Sequence, residues 1–214
     1  MVHPLAVLLD EAAHGRFPEP DGTVHVLPPL TGSLDALVSF TGTFALAAAV
    51  SQSEVDARVP RGEFSVPMSP GFVSWLCARL GARAATHDAV LVAISSGDGP
   101  ADLVEAVDLS DHPRVQRALR YRTDVRAYAT ADRRGVVVLG RGITRRWEIA
   151  FEVDETARGT GLGRALAAAG AALLPSGTPV WAQVAPGNAA SLRAVVAAGF
   201  RPVGAEILFV RDGG

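Results

Sequence analysis

The stretch VDETARGTGLGRALAAAG, residues 153–170, sets Gly159, Gly161 and Gly163 between Arg158 and Arg164 and then runs into alanines. Two common phosphate loops can be tested against it. A Walker A loop needs a lysine and then Ser or Thr after its last glycine, and here Gly163 is followed by Arg164 and Ala165. A dinucleotide fingerprint needs a glycine three residues after Gly161, where Arg164 stands. Neither fits. The ingredients of anion binding are nevertheless present: a strand ending near Val153, glycines that allow close backbone approach, and a helix starting directly afterwards. The first turn of a helix exposes unpaired N–H groups and a partial positive charge, and Arg158 adds a full one. From the loop alone, a phosphate cradle and a simple helix entry both stand.

The rest of the chain is that of an ordinary globular protein. Of 214 residues, 49% are hydrophobic and 20% charged, with a formal charge of −2. This excludes a disordered or nucleic-acid-coating chain, so no nucleic-acid partner is expected. All 20 basic residues are arginine, which reads as coding bias in a GC-rich bacterial genome. The single cysteine, Cys77, excludes an internal disulfide or cysteine metal cluster and reads as a buried inert thiol. No histidine pair has metal-ligand spacing, so no metal is expected. No apolar run approaches the roughly 20 residues of a membrane span, and the N-terminus is broken by acids too early for a secretory signal. The expected location is cytoplasmic, with no membrane partner.

Periodicity orders the elements. Residues 4–14 read as a short helix, TVHVLPP and DALVSFTGTFALAAAV as two or three strands turning at Gly42. SPGFVSWLCARLG has Ser69 as N-cap, Pro70 at the first helical position and Gly81 past the end. Residues 86–94 predict a strand, about 100–108 a short helix, and HPRVQRALRYR a second helix that Asp111 can cap, with His112 suited to a capping or surface role. DVRAYAT, GVVVLGRG and RRWEIAFEV form an antiparallel meander leading into the glycine loop. A helix, the strand TPVWAQV, the helix GNAASLRAVVAAG and two closing strands, FRPV and AEILFV, follow. The expectation is an α+β fold, a mixed α/β sandwich.

The loop resembles the acyl-CoA pyrophosphate loop of the GNAT superfamily of N-acetyltransferases, which has Arg or Gln, two residues, Gly, any residue, then Gly or Ala. Arg158, Gly161 and Gly163 take those positions. VAPGNAASLRAVVAAGFRPVG is similar to the family's second motif, an asparagine opening a helix that ends in Gly-Phe, here Asn188, Gly199 and Phe200. The resemblance covers residues 86–214, a GNAT domain, and leaves 1–85 as an accessory α+β domain. It implies a central, mostly antiparallel sheet with splayed fourth and fifth strands and helices on both faces. It implies acetyl-CoA as cofactor. The pantetheine arm is then held by Phe151, Glu152 and Val153, and the pyrophosphate by Arg158, Gly159, Thr160, Gly161, Leu162, Gly163 and Arg164. Asn188 and Ser191 lie near the thioester. Transfer to an amine is direct, within a ternary complex.

An ammonium must lose a proton before attack. Alternation along RRWEIAFEV places Glu148, Ala150 and Glu152 on one face. Glu148 is the first candidate for the base and Glu152 the second; the alternative is a pair of surface or ion-paired carboxylates beside Arg145 and Arg146. Many family members carry a tyrosine seven residues after the motif asparagine to protonate the leaving thiolate, and this chain has Val195 there. Tyr121, Tyr128, water or the new ammonium would then supply the proton, or the protein binds the cofactor without efficient turnover. Arg114, Arg117 and Arg120, at helical spacing, could dock an anionic acceptor or form a solvated face. Residues 1–85 read as a degenerate second acetyltransferase half, a lid or a dimerisation module. Three functions follow: an N-acetyltransferase acting on a small-molecule or peptide amine, a non-catalytic acetyl-CoA or CoA sensor, or a protein acetyltransferase whose N-terminal part binds the partner.

Overall fold

The computed structural model describes residues 2–99 and 102–211. Among them are helices α1 (Pro4–Ala13), α2 (Gln52–Asp56), α3 (Pro70–Leu80), α4 (Pro113–Tyr121), α5 (Leu162–Ala172) and α6 (Ala189–Ala197). The strands are β1 (Val24–Leu27), β2 (Leu34–Phe40), β3 (Thr43–Ala47), β4 (Ala82–Ile94), β5 (Leu103–Glu105), β6 (Thr123–Thr130), β7 (Gly135–Arg141), β8 (Trp147–Val153), β9 (Pro179–Val184) and β10 (Arg201–Arg211). The expected mixed α/β class and mostly antiparallel pairing are what the chain adopts. The chain forms two compact units, residues 1–89 with 203–214, and residues 90–202.

In the first unit the strand order is β1-β3-β2-β10. β10 pairs antiparallel with β2, from Ala205 opposite Ser39 to Val210 opposite Leu34. One face of this sheet, carrying Leu37, Phe44, Leu46, Ile207 and Phe209, buries itself under Val55 of α2 and Phe72 and Leu76 of α3. Ser69 caps α3 by accepting from the Phe72 N–H, Pro70 stands at its first turn, and Gly81 ends it at φ 58°, as read from the sequence. Cys77, expected to be buried, is only partly so, at the margin of this cluster. α2 begins with a capping box, Ser51 accepting from the Glu54 N–H and Glu54 reaching back to the Ser51 N–H. The box has its local signature in the sequence, Ser51 followed three residues later by Glu54.

The second unit has the strand order β4-β9-β8-β7-β6-β5, with β4 contributing residues 90–94. The β6-β7-β8 meander is antiparallel, with a bulge in β6 between Thr123 and Arg126 and all seven residues of β8 paired to β7. Helices cover both faces. Val115 and Ala118 of α4 pack on Val136 and Val138 of β7. α5 lies on the opposite face, where a Cβ at Gly170 would come within 2.6 Å of Ile149 Cδ1 and 2.7 Å of Val137 Cγ1. Glycine there brings the helix axis close to the sheet.

Three local expectations are corrected. The segment expected as a helix over about 100–108 forms the edge strand β5 and a 3-10 turn, Val107–Leu109, with residues 100 and 101 outside the described set. β5 pairs with β6 from Leu103 opposite Thr130 to Glu105 opposite Tyr128, so an available strand edge overrode helix propensity. The two closing strands are one, since Gly204 keeps the backbone extended beside Ser39, where no Cβ would fit. Finally, His112 rather than Asp111 caps α4, its Nδ1 accepting from the Arg114 N–H at 3.2 Å.

Two measurements probe this packing. Gly170→Ala forces Val137 and Ile149, both buried, to yield, and chemical denaturation should show a loss of about 1–3 kcal/mol. Asp35 on β2 is fully buried, neither oxygen accepts a hydrogen bond among the described residues, and Arg211 Nε lies 3.6 Å from Oδ2. Burial pushes its carboxyl above the ordinary range, and Arg211 offsets only part of this. The folded state therefore retains a proton that the unfolded chain releases near pH 4, and stability falls as pH rises from there through the raised value. Asp35→Asn should raise the melting temperature at pH 7 and flatten its dependence between pH 4 and 7.

Candidate functional site

The glycine stretch joins β8 to α5. Asp154 accepts from the Thr156 N–H, a 3-10 turn spans Glu155–Ala157, and Thr160 Oγ1 donates to the Ala157 carbonyl. Gly159 and Gly161 then take φ of 79° and 89°, left-handed values that favour glycine, and a Cβ on either would meet only open space. Gly161 is the N-cap of α5 and offers no side chain to its first turn. Ala165 N–H donates to the Gly161 carbonyl, whereas no N–H from Gly159 to Arg164 donates to a backbone acceptor among the described residues. These amides, with the helix dipole behind them, are donors on an exposed loop. Arg158 lies beside it, exposed and ion-paired to Glu155 at 3.2 Å.

The loop is drawn into a larger site by its third glycine. A Cβ on Gly163 would lie 3.5 Å from Phe151, 3.7 Å from Val153 and 3.6 Å from Ala194 of α6, so the loop, the end of β8 and α6 converge there. Asn188 opens α6, its Oδ1 accepting from the Ser191 N–H at 3.1 Å, which leaves its amide NH2 exposed. Gly199 at φ 94° ends the helix and Phe200 is buried behind it. Phe151, Glu152, Val153, residues 158–164, Asn188 and Ser191 thus stand on elements that meet at the Gly163 junction. A cavity of about 500 Å³ flanks the loop, between Ala157, Thr160 and Leu162 on one side and Thr130, Asp132 and Arg134 on the other.

β8 and β9 run parallel but pair only at Trp147 opposite Val180 and Glu148 opposite Trp181. From Ile149 to Val153 the β9 side of β8 has no ladder partner in register, so the two strands fork after their first step. The unpaired edge leads directly to the loop, and backbone donors and acceptors left without a ladder are available to an extended ligand.

Glu148 and Glu152 share the α4 face of β8, as alternation requires, but their surroundings differ. Glu148 is 4% exposed. Its Oε1 accepts from Arg146 Nε at 2.8 Å and its Oε2 lies 2.9 Å from Arg122 Nε. A Cβ on Gly142 would fall on the carboxylate itself, so glycine is required there for space. Burial alone would raise the Glu148 carboxyl, but the guanidiniums of Arg146 and Arg122 and the hydrogen bond from Gln183 outweigh it and hold it below the ordinary range. Glu148 is thus an ion-paired carboxylate, the alternative that its place beside Arg146 offered. Glu152 is accessible: Arg114 Nη2 lies 3.2 Å from its Oε2 and His112 Nε2 is 4.0 Å from its Oε1. Sequence reading gave His112 no such neighbour, because the pairing joins a helix cap to a strand 40 residues on.

The other sequence candidates separate. Val195 is fully buried on α6. Tyr128 lies on β6, two strands from β8, while Tyr121 ends α4 with Arg117 over its ring at 5.9 Å. Of the α4 arginines, Arg114 meets Glu152, and Arg117 and Arg120 are exposed.

No protein-family model matches the chain, and no curated protein matches it. Among solved structures it is similar to a GCN5-related N-acetyltransferase from Kribbella flavida, at 18% identity and a TM-score of 0.44, covering 68% of this chain and 65% of that one. An acetyltransferase from the GNAT family of Colwellia psychrerythraea is similar at 14% identity and a TM-score of 0.41, over 65% of this chain and 61% of that one. A tandem GNAT protein from the clavulanic acid biosynthesis pathway is similar at 15% identity and a TM-score of 0.36, over 70% and 62%. The chain therefore spans a little under two thirds of the length of the first two.

Glu148→Gln would leave two guanidiniums facing an uncharged group in a buried setting. Denaturation at neutral pH should show a loss of about 3–5 kcal/mol, the usual cost of removing one partner from a buried ion pair. Because the folded carboxyl titrates below the unfolded one, its contribution is complete above about pH 4–5 and fades as pH falls. The gap between wild type and variant should narrow on acidification.

Proposed function

We propose that the chain is an acetyl-CoA-dependent N-acetyltransferase of the GNAT type, cytoplasmic, acting on the primary amine of a small molecule or peptide. One observation carries the reading: a strand that parts from its parallel neighbour after two residue pairs runs into a helix N-terminus whose loop amides have no backbone acceptor among the described residues. An elongated ligand with an anionic segment fits that sequence of features. The amides of Gly159 to Arg164 receive the pyrophosphate, and Arg158 adds charge. The free edge of Phe151, Glu152 and Val153 receives the pantetheine amides, and Asn188 and Ser191 close the far side. The cavity beside Thr160 and Arg134 gives the nucleotide end room. When bound, acetyl-CoA supplies a thioester carbonyl that an amine attacks directly, forming the C–N bond as the C–S bond breaks.

The residues of the chain then have separable tasks. Glu152, solvent-accessible on the α4 face, accepts the proton that the attacking ammonium must lose, with Arg114 and His112 orienting its oxygens. Tyr121 directly precedes Arg122, whose guanidinium reaches Glu148 at the fork. The buried Val195 leaves no acid on α6 at the position where the resemblance expects one, and the departing thiolate takes its proton from water or from the ammonium formed on attack. A second reading, a GNAT-fold module that senses acetyl-CoA or CoA without turnover, draws its support from that same valine.

Acetyl-CoA should raise the melting temperature in a concentration-dependent manner, since it binds only the folded chain. Gly161→Val, which imposes a β-branched residue on a left-handed φ in the middle of the donor surface, should weaken binding at least tenfold. Absence of any stabilisation at millimolar acetyl-CoA would refute the assignment. Release of CoA thiol across a panel of amino acids, polyamines, aminoglycosides and N-terminal peptides separates enzyme from sensor. With a turned-over acceptor, Glu152→Gln should lower kcat by about 10²-fold, the low end of general acid-base contributions, while leaving acetyl-CoA affinity nearly unchanged.

A further inference from the structure

We infer that Arg122 is the positioning residue of the fork: its guanidinium clips β8 to β9 where their backbone ladder stops, and so sets how far the strands part to admit the acetyl end. The inference rests on the acetyltransferase reading above for its functional consequence, though the clip itself is a matter of geometry.

The last paired residues of the two strands are Glu148 and Trp181. Arg122 is the residue directly after α4 and has extended backbone, φ −133° and ψ 154°, which directs its side chain off the helix end. Its Nε lies 2.9 Å from Glu148 Oε2, and its Nη1 makes a long hydrogen bond of 3.5 Å to the Glu148 carbonyl. Its Nη2 donates to Gln183 Oε1 at 3.4 Å. Gln183 lies on β9 two residues beyond the last paired position. One planar cation therefore reaches both strands across the first step at which they no longer bond to each other.

The partners suit this task. Glu148 is held from its other side by Arg146 and backed by Gly142, so it presents a fixed oxygen to Arg122. The Arg122 side chain is only 14% exposed, which limits competition from water. A guanidinium offers donors in a rigid plane and can hold two acceptors at a set separation, whereas an ammonium is a point charge on a flexible stem. Glu148, read from the sequence as a base, serves here as the anchor of Arg122.

Gln183→Leu removes the β9 end of the clip, together with the hydrogen bond from Gln183 to Glu148, and leaves the Arg122–Glu148 pair intact, while Arg122→Lys keeps that hydrogen bond. It should leave the melting temperature within a few degrees of wild type, speed amide exchange across residues 182–184 at least tenfold, and raise the acetyl-CoA Kd about fivefold in calorimetric titration. Arg122→Lys preserves charge but not the two-strand reach, and should reproduce both effects. Wild-type exchange at 182–184 in both Gln183→Leu and Arg122→Lys would overturn the clip, whether or not acetyl-CoA binds. Faster exchange with unchanged acetyl-CoA affinity would overturn its positioning role. Failure of wild type to bind acetyl-CoA would instead refute the functional reading, with the exchange data still deciding the clip.

Discussion

The second unit depends on a ladder that is broken on purpose. β8 is fully paired on its β7 side and paired for only two residues on its β9 side. A parallel pair normally continues as far as both strands extend, because unpaired backbone donors and acceptors in a partly buried place are costly. Here five residues of β8 forgo that partner. What they gain is a polar edge that runs without interruption into the glycine loop, and everything proposed about ligand binding follows from that continuity.

A fork of this kind needs something to hold its closed end. The charged cluster of Arg122, Arg146, Glu148 and Gln183 occupies that place, and its energetics differ from those of a surface pair. Removing charges from water is expensive, and the cost is met only when geometry is good and the remaining polar atoms are satisfied. The carboxylate receives guanidiniums on both oxygens, and the ring of Trp181 lies under Arg146 at 5.3 Å. Such a cluster gives little net stability over an apolar one, but it specifies one arrangement. On the other face, glycines do the corresponding work sterically, with Gly135 and Gly170 letting α5 settle onto β7 and β8.

The first unit uses the same layered economy without a comparable site. Its core is apolar and continuous beneath α2 and α3. Asp35 interrupts the pattern as a buried carboxylate lacking hydrogen bonds among the described residues, beside the Arg211 that ends β10. Because β10 pairs with β2, the last strand of the chain completes the sheet formed by the first, a long-range closure that no local pattern announces.

Periodicity and punctuation determined much by themselves: the meander, the helix from Pro70, the glycine loop with its helix, and the placing of Glu148 and Glu152 on one face. These depend on residues close in the chain, where alternation, caps and left-handed glycines act locally. The edge strand at Leu103–Glu105 and the single long β10 were decided by partners far away in sequence, which lent their ladders to segments of ambiguous propensity. The role of Glu148 was decided in the same way. Its neighbours in the chain left it open between a base and a carboxylate paired beside Arg146, whereas folding brought Arg122 from the end of α4 and Gln183 from β9 to enclose it between opposite charges.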